Sequence, residues 1–327
     1  MPAPKQPAKP AAVRVLRDWY LRSRLKMRQI LLLVALDEQR NMHRAASSVA
    51  MTQPAATRLL GDLERQLGLR LFERSARGIA PNAYGESLIR HARVMLATLD
   101  HARDEINALS EGTTGKVVIG ALLVSAPVLV PRAVARFKAR HPNHTVLVRE
   151  GTPATLLPAL RGGEFDVVVG RLSGDVSAEG LSFEALYSEP MLAVVRAKHP
   201  LAKRRTLKFA QLAGAQWIVP TPESPYRRRL EAAFRQAGVE PPRRIVESLS
   251  MLVNRVLVQE TDMIAVMPRD VAHQFAAPGI ARILPVKLPP PSGPVGVITA
   301  SGRTLPPAAT DLIQALREAA REAMRGN

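Results

Sequence analysis

The most regular pattern of apolar positions in the N-terminal part of the chain covers residues 53–67. Apolar side chains recur there every three or four residues, which is the spacing of an amphipathic helix. They are Ala56, Leu59, Leu60, Leu63 and Leu67. Thr52 is a good N-cap, and Pro54 falls in the first turn, where a missing N–H costs nothing. The sequence therefore predicts a helix that opens on Thr52 and buries one face.

The opposite face of this helix is polar in its first two turns, where it carries Gln53, Thr57 and Arg58. Such side chains can donate to or accept from base edges and phosphates. In the preceding helix, Ala45 and Ala46 are small enough to let two helices cross closely. The pattern predicts a helix-turn-helix, although spacing alone also fits any small helical bundle.

A heptad pattern follows in residues 82–110. Its apolar positions are alternately four and three residues apart, which is typical of helices that wrap around one another. They are Leu88, Ala92, Met95, Leu99, Ala102, Ile106 and Leu109. We predict that they form a dimerisation seam, the alternative being one amphipathic helix packed on its own domain. A dimer would hold two reading helices at a set separation, so its DNA should contain paired half-sites.

After residue 115 short apolar runs alternate with helical segments. Runs at 117–120, 145–149 and 165–169 predict buried strands, with helices at 126–140 and 152–161. A second series begins near residue 191, with strands at 217–219, 244–246 and 264–267, and a last helix covers 308–324. This alternation predicts two α/β units that form a two-lobed clamshell with a cleft. We assign residues 115–188 and 303–327 to the first lobe and 189–302 to the second.

Polar residues that directly follow the predicted strands are candidates for binding a ligand. Ligands of doubly wound sheets bind at the carboxyl ends of the strands, where helix N-termini direct backbone N–H groups at them. This rule selects Ser125, Thr152, Arg171, Thr221 and Ser250. The alternative for each Ser and Thr is a plain helix N-cap, and for Arg171 a solvated loop position.

The charge of the chain indicates a polyanionic partner. Its 46 Lys and Arg outnumber 28 Asp and Glu, which gives a net charge of +18. Residues 1–30 hold eight basic residues and one acidic residue, whereas residues 31–110 hold ten and nine. We interpret residues 1–24 as a basic, flexible arm that adds salt-sensitive, non-specific affinity for DNA. A solubilising tail or an over-predicted start is the alternative.

Composition and motifs exclude several classes of function. The absence of cysteine excludes disulfides, thiolate metal sites and thiol nucleophiles. No apolar run approaches 18 residues and residues 1–10 lack an apolar core, so we expect neither a membrane span nor a secretion signal, and a cytoplasmic location. His141 and His144 are interpreted as ordinary surface histidines and not as a metal site. No nucleophile elbow, phosphate loop or dinucleotide fingerprint is present, so we expect neither an enzyme nor a cofactor.

Several short motifs resemble the DNA-binding domain of LysR-type transcriptional regulators. They are Arg-Ala-Ala at 44–46, Thr-Gln-Pro-Ala at 52–55, Asp-Leu-Glu at 62–64, Leu-Gly at 67–68, Leu-Phe-Glu-Arg at 71–74 and Pro-Asn-Ala-Tyr-Gly at 81–85. All fall at the spacing of that family. One departure is Asn82, where the family usually has Thr, but Asn caps a helix equally well.

The resemblance implies a winged helix-turn-helix over residues 25–81, in which residues 71–80 form a β wing. DNA contacts then involve Thr52, Gln53, Pro54, Thr57 and Arg58 of the reading helix and Arg74 and Arg77 of the wing. It also implies a dimerising linker helix at 82–110, commonly in a dimer of dimers, and an effector-binding domain similar to a periplasmic solute-binding protein. The family's effector pocket supports Ser125, Thr152 and Thr221 as a group.

The expected function is therefore that of a cytoplasmic, homo-oligomeric regulator that binds duplex DNA and senses a small-molecule effector. Contact with RNA polymerase is compatible with this function. The alternatives are an architectural protein that binds DNA non-specifically and a solute-binding enzyme with an appended DNA-binding domain. Residues 151–161 and 260–268 are similar to a subgroup that includes galactose-binding-protein regulators and protocatechuate-pathway regulators, which suggests a sugar or an aromatic acid as effector.

Overall fold

The computed structural model describes residues 24–75, 78–110, 115–172, 179–222 and 224–325. The predicted basic arm lies outside these residues, except for Arg24. The chain divides into two compact units between Leu99 and Asp100. Within the described residues, no helix combines the length and the apolar character needed to cross a membrane.

From residue 24 onward, the first unit contains three helices, a β-hairpin and the start of a long helix. In chain order these are α1 (Met27–Gln39), α2 (Met42–Ser48), α3 (Gln53–Leu67), β1 (Phe72–Ser75), β2 (Gly78–Pro81) and α4 (Ala83–Ser110). The two strands pair antiparallel. The winged helix-turn-helix predicted from the sequence is confirmed.

The core of the first unit lies where the three short helices cross. Ala45 of α2 and Ala56 of α3 are completely buried, as is Leu36 of α1. Since alanine has no side chain beyond Cβ, the two helix backbones approach closely at these positions, as the sequence predicts. Helix α3 ends at Gly68, whose left-handed backbone (φ 66°) closes the helix at no steric cost.

Asn82 and Gly85 fix the start of the long helix α4. The Asn82 Oδ1 atom accepts hydrogen bonds from the backbone N–H groups of Tyr84 and Gly85, each at 3.1 Å, so it caps the helix as predicted. A side chain at Gly85 would collide with the backbone carbonyl of Leu71. Glycine is therefore needed for the helix to pack against the wing.

The second unit contains two five-stranded sheets with helices. Its elements are β3 (Lys116–Leu122), α5 (Leu129–Arg140), β4 (Thr145–Gly151), α6 (Pro153–Arg161), β5 (Val167–Gly170), β6 (Leu181–Tyr187), β7 (Met191–Arg196), two 3₁₀ turns (Pro200–Lys203 and Phe209–Leu212), β8 (Trp217–Val219), α7 (Pro225–Gln236), β9 (Ile245–Glu247), α8 (Met251–Glu260), β10 (Ile264–Pro268), α9 (Arg269–Ala276), β11 (Ala281–Ile283), β12 (Val295–Ala300) and α10 (Pro307–Arg325). The two-lobed α/β prediction is confirmed.

The boundary between the lobes corrects the prediction from sequence. The first sheet has the strand order β4-β3-β5-β12-β6 and the second has β11-β7-β10-β8-β9. Strand β12, which we had assigned to the second lobe, lies between β5 and β6 and pairs antiparallel with both. The second lobe therefore ends before Val295, and two crossing segments join the lobes, around residues 188–190 and 289–294.

Candidate functional site

The N-terminal end of α3 presents its polar side chains on the surface of the first unit. Gln53, Pro54 and Arg58 are exposed, whereas Thr57 is half-buried and lies at the edge of this face. Thr52 occupies the N-cap position, but its side chain makes no capping hydrogen bond, contrary to our expectation. Its hydroxyl is exposed, so the residue is available to an external partner.

The β wing carries one of the two predicted arginines within the described residues. Arg74 is exposed on β1 and faces Ile79 of β2 in the strand register. Ile79 is 5% exposed and belongs to the core of the unit, which anchors the wing. Arg77 lies outside the described residues.

Glu64 holds the wing to the reading helix, a role that the sequence analysis missed. Its Oε1 atom accepts hydrogen bonds from the backbone N–H groups of Leu71 (2.7 Å) and Phe72 (3.2 Å). The carboxylate thus links α3 to the first residues of the wing. The helix that carries Arg58 and the strand that carries Arg74 are therefore held together. The Asp-Leu-Glu motif contained this residue but did not indicate what it binds.

The predicted seam on α4 divides into two parts. Leu88 packs against the core of the first unit and Ala92 is 1% exposed within a single chain, so the seam does not begin at these two positions. An ion pair between Arg93 and Asp37 (2.8 Å) joins this part of α4 to α1. The later positions are exposed: Met95 at 41%, Leu99 at 50%, Ile106 at 66%, and also Ala102. The side chain of Leu109 lies outside the described residues.

In the second unit, three of the predicted effector residues lie just after strand ends. Thr152 is exposed at the end of β4, and Thr221 is half-buried after β8. Ser250 caps α8, because its hydroxyl oxygen accepts a hydrogen bond from the N–H of Val253 at 3.4 Å. Thr152 is likewise the N-cap of α6, in a capping box in which its hydroxyl lies 3.4 Å from that of Thr155. Ser250 and Thr152 therefore both fit the alternative of a plain N-cap, whereas Thr221 follows β8 and the N-cap of α7 is Ser224.

Ser125 is neither an exposed ligand-binding residue nor a helix N-cap, the two possibilities that the sequence analysis left open. Helix α5 begins later, at Leu129, and Ser125 is completely buried in the preceding turn. Its hydroxyl lies 2.9 Å from the carbonyl oxygen of Leu122 and 2.6 Å from that of Val169. The hydroxyl therefore ties the ends of β3 and β5 together, since a buried O–H needs an internal acceptor.

Arg171 is also not a free ligand-binding side chain. It follows β5 in the first lobe, and its Nε atom donates to the carbonyl oxygen of Gly293 at 3.1 Å. A terminal guanidinium nitrogen donates to the carbonyl oxygen of Glu189. Burial lowers the pKa of Arg171 from its usual value. One arginine of the first lobe thus binds both segments that cross between the lobes, and we call these contacts the hinge.

The second lobe binds the same two segments from the other side. The Oε1 atom of Glu189 accepts a hydrogen bond from the N–H of Asp270 at 2.9 Å, and Pro190 accepts one from the N–H of Arg269 at 2.9 Å. The Tyr226 hydroxyl donates to the carbonyl oxygen of Pro289 at 3.1 Å. Each crossing segment is therefore held by hydrogen bonds from both lobes.

Three buried polar atoms at the hinge have no hydrogen-bond partner among the residues that the structure describes. They are Glu189 Oε2, Asp270 Oδ2 and Arg269 Nε. Burial raises the pKa of the Glu189 carboxyl, and it also raises the pKa of the hydroxyls of Tyr187 and Tyr226. An unpaired buried polar atom costs about 1–3 kcal/mol, so these atoms lower the stability of the hinge.

The histidine pair considered for metal binding has other contacts. His141 Nε2 lies 3.2 Å from a carboxylate oxygen of Asp311, and the His141 and His144 rings meet edge to face. Over the described part of the chain, no three His, Cys, Asp or Glu side chains are grouped to hold a metal ion.

Comparison with known families matches both units. Residues 27–86 match the model of the bacterial regulatory helix-turn-helix proteins of the lysR family, and residues 110–321 match the LysR substrate binding domain. Together the two models span both compact units.

Comparison with individual proteins agrees. The chain is 40% identical over 309 residues to the HTH-type transcriptional regulator GbpR of Azospirillum brasilense, which covers 94% of this chain and 90% of that protein. It is 35% identical over 304 residues to the HTH-type transcriptional regulator PcaQ of Agrobacterium fabrum, covering 93% and 97%. Its fold is similar to that of full-length CbnR in a crystal structure with its target DNA, with a TM-score of 0.58, 21% identity and coverage of 90% and 100%.

Proposed function

The chain belongs to the LysR family of bacterial transcriptional regulators, which combine a helix-turn-helix with an effector-binding domain, and from this premise we propose that α3 reads its operator. Gln53, Thr57 and Arg58 contact base edges in the major groove, while Thr52 and Arg74 contact the phosphate backbone. The observation that carries this proposal is the division of α3 into a buried apolar face and an exposed polar N-terminal end.

The experiment is to sequence the genomic fragments that the full chain retains at physiological salt, in parallel with two variants. Arg58→Ala should lose the selected fragments, since one base contact contributes about 1–3 kcal/mol of discrimination. Arg65→Ala is the matched control, because Arg65 lies on the same helix at its other end, is 76% exposed and pairs with Asp62. It should retain the same fragments as the unaltered chain.

Paired half-sites that vanish only in Arg58→Ala would support the proposal, and neighbouring genes would nominate the effector. Fragments that are retained uniformly along the genome, and equally by both variants, would contradict the proposal and favour the non-specific alternative. Turnover of a ligand would favour the enzyme alternative.

We further propose that α4 dimerises the chain through the exposed positions Met95, Leu99, Ala102 and Ile106. Apolar side chains of this size at heptad spacing gain stability when a second helix covers them. Met95→Asp would bury a charge in that seam and should give monomers in sedimentation velocity, whereas Arg90→Asp, on the exposed outer face, should leave the dimer intact. A stable dimer of Met95→Asp would contradict the seam.

The effector is proposed to bind between the lobes, near Thr152 and Thr221 at the carboxyl ends of β4 and β8. A ligand that favours one arrangement of the lobes shifts the population of the hinge states, and operator affinity changes with it. Because coupling is reciprocal, operator DNA also changes the affinity for the effector. We expect this switch to act on RNA polymerase in the cytoplasm.

A further inference from the structure

The excess positive charge of the folded chain is largest in the second lobe. Residues 189–294 hold sixteen Lys and Arg against eight Asp and Glu. The first lobe, residues 115–188 and 295–327, holds twelve against nine. Residues 24–99 of the first unit, which contain the reading helix, hold twelve against six. The unit that reads DNA and the second lobe therefore both carry an excess of positive charge, and the excess is largest in the second lobe.

Much of this charge lies at one end of the second sheet. Strands β8, β9 and β10 are parallel, so their amino ends share one edge, opposite to the edge proposed for the effector. The segment between β7 and β8 and the segment after α7 both lie there. The Phe209 ring stacks on Phe234 with centroids 4.2 Å apart, and the N–H of Trp217 donates to the Arg244 carbonyl at 3.0 Å. These contacts join the first segment to α7 and to the end of the second segment, so the basic residues of both segments lie at the same edge of the sheet.

We name this cluster the basic pole. Its members are Lys198, Lys203, Arg204, Arg205, Lys208, Arg243 and Arg244, all of them exposed. None of the seven is within ion-pair distance of a carboxylate that the structure describes. Of the acidic residues at the same end, Asp262 is already paired with Arg196 at 2.7 Å, and Glu240 and Glu260 are exposed.

In the first lobe, by contrast, basic residues form ion pairs with carboxylates. Arg317 there pairs with Glu184, and Arg140 with Glu318, so these charges stabilise the contacts of α10 with its neighbours. Seven like charges at one pole repel each other and contribute no such contact to the fold. A polyanion bound at this pole would neutralise them.

We propose that the basic pole binds the phosphate backbone of duplex DNA. The reading helix holds DNA at high local concentration around the same molecule, so even weak phosphate contacts add to the total affinity. The inference rests on the proposed function only in that DNA is the partner; it does not depend on which bases α3 reads.

The test measures the salt dependence of binding of the full chain to a long duplex of mixed sequence, by fluorescence anisotropy over a series of KCl concentrations. The variant Lys203→Ala/Arg204→Ala/Arg205→Ala should lower the slope of log affinity against log salt by roughly 2–3, because each lost phosphate contact removes about 0.9. The matched control, Arg132→Ala/Arg149→Ala/Arg321→Ala, removes three exposed arginines from the first lobe. It changes the net charge equally and should leave the slope unchanged.

Equal slopes for the two triple variants would overturn the proposal, because the effect would then follow net charge and not the pole. Poly-glutamate provides a second probe. If the pole variant loses affinity for poly-glutamate while its slope on DNA stays that of the unaltered chain, the pole binds an acidic polypeptide and the proposal is wrong. Unchanged thermal melting of both variants confirms that they are folded.

The result of this salt-dependence test can be distinguished from the result of the fragment-selection test of the proposed function. Arg58→Ala should change which fragments are retained but not the salt slope on mixed-sequence DNA by more than about 1, the contribution of a single phosphate contact. Fragment selection that is independent of Arg58, together with a reduced slope in the pole variant, would reject the reading helix and support the pole.

Discussion

The two units use their polar side chains in opposite ways. In the first unit, Gln53 and Arg58 remain exposed on a helix whose other face builds the core. In the second unit, Ser125 and Arg171 stand at the strand ends where a ligand was expected, yet both bind backbone carbonyl groups of their own chain. The reading surface needs only a packed face behind it, whereas the segments that join the two lobes are held by polar contacts. Position at a strand end therefore does not by itself identify a ligand residue.

The largest expected effect tests whether the two units are stable independently. Leu36 is completely buried in the first unit, and Leu36→Ala should cost about 2–5 kcal/mol of its unfolding free energy because a cavity remains. Calorimetry should show the transition of the first unit at lower temperature, with that of the second unit unchanged, and retention of DNA should fall. Leu31→Ala on the same helix is the control, since Leu31 is 38% exposed. A joint shift of both transitions would contradict independence.

A smaller effect concerns the hinge. Arg171→Met keeps an apolar stem but removes the donors to Glu189 and Gly293, so we expect a loss of about 1–3 kcal/mol in the stability of the second unit. The measurement is chemical denaturation, with Arg132→Met at an exposed position as control. If Arg171 were a free effector ligand instead, its replacement would leave the stability of the protein without effector unchanged.

The smallest effect distinguishes the two hydroxyl residues of the first lobe. Ser125→Ala should destabilise the second unit by about 1 kcal/mol, because one buried hydrogen bond is lost. Thr152→Ser should leave its thermal midpoint unchanged, since Thr152 is exposed and serine keeps the hydroxyl oxygen at the N-cap of α6. The reverse result would restore Ser125 as a cleft residue and contradict its role between β3 and β5.

The sequence was most informative where structure is set by neighbours along the chain. Helix spacing, the cap at Asn82 and the small residues Ala45 and Ala56 each act within a few residues, so the helix-turn-helix was predictable. The hydrogen bonds that Glu64 accepts from the wing connect residues seven and eight positions apart, and no periodicity in the sequence predicts them. They required the observed packing.

The hinge was beyond sequence reasoning because its contacts are non-local. Arg171 meets Gly293, which lies 122 residues later, and no pattern around either residue indicates the other. The same limit applies to the seam on α4. A heptad pattern shows which side chains share a face, but only the fold shows that Ala92 is covered by its own chain while Met95 is not.

The position of β12 has a consequence for how the protein is made. Strand β6 pairs only with β12 in the described sheet, and more than a hundred residues separate the two in the chain, including the whole second lobe. During synthesis the second lobe can therefore finish folding before β12 is available to the first sheet. Until then β6 has no partner strand. The second lobe therefore has the topology of a domain inserted into the first lobe, and the sheet of the first lobe is completed last. A released chain that ends just before Val295 should contain a folded second lobe and an incomplete first lobe, with the unpaired edge of β6 as the natural target of a chaperone.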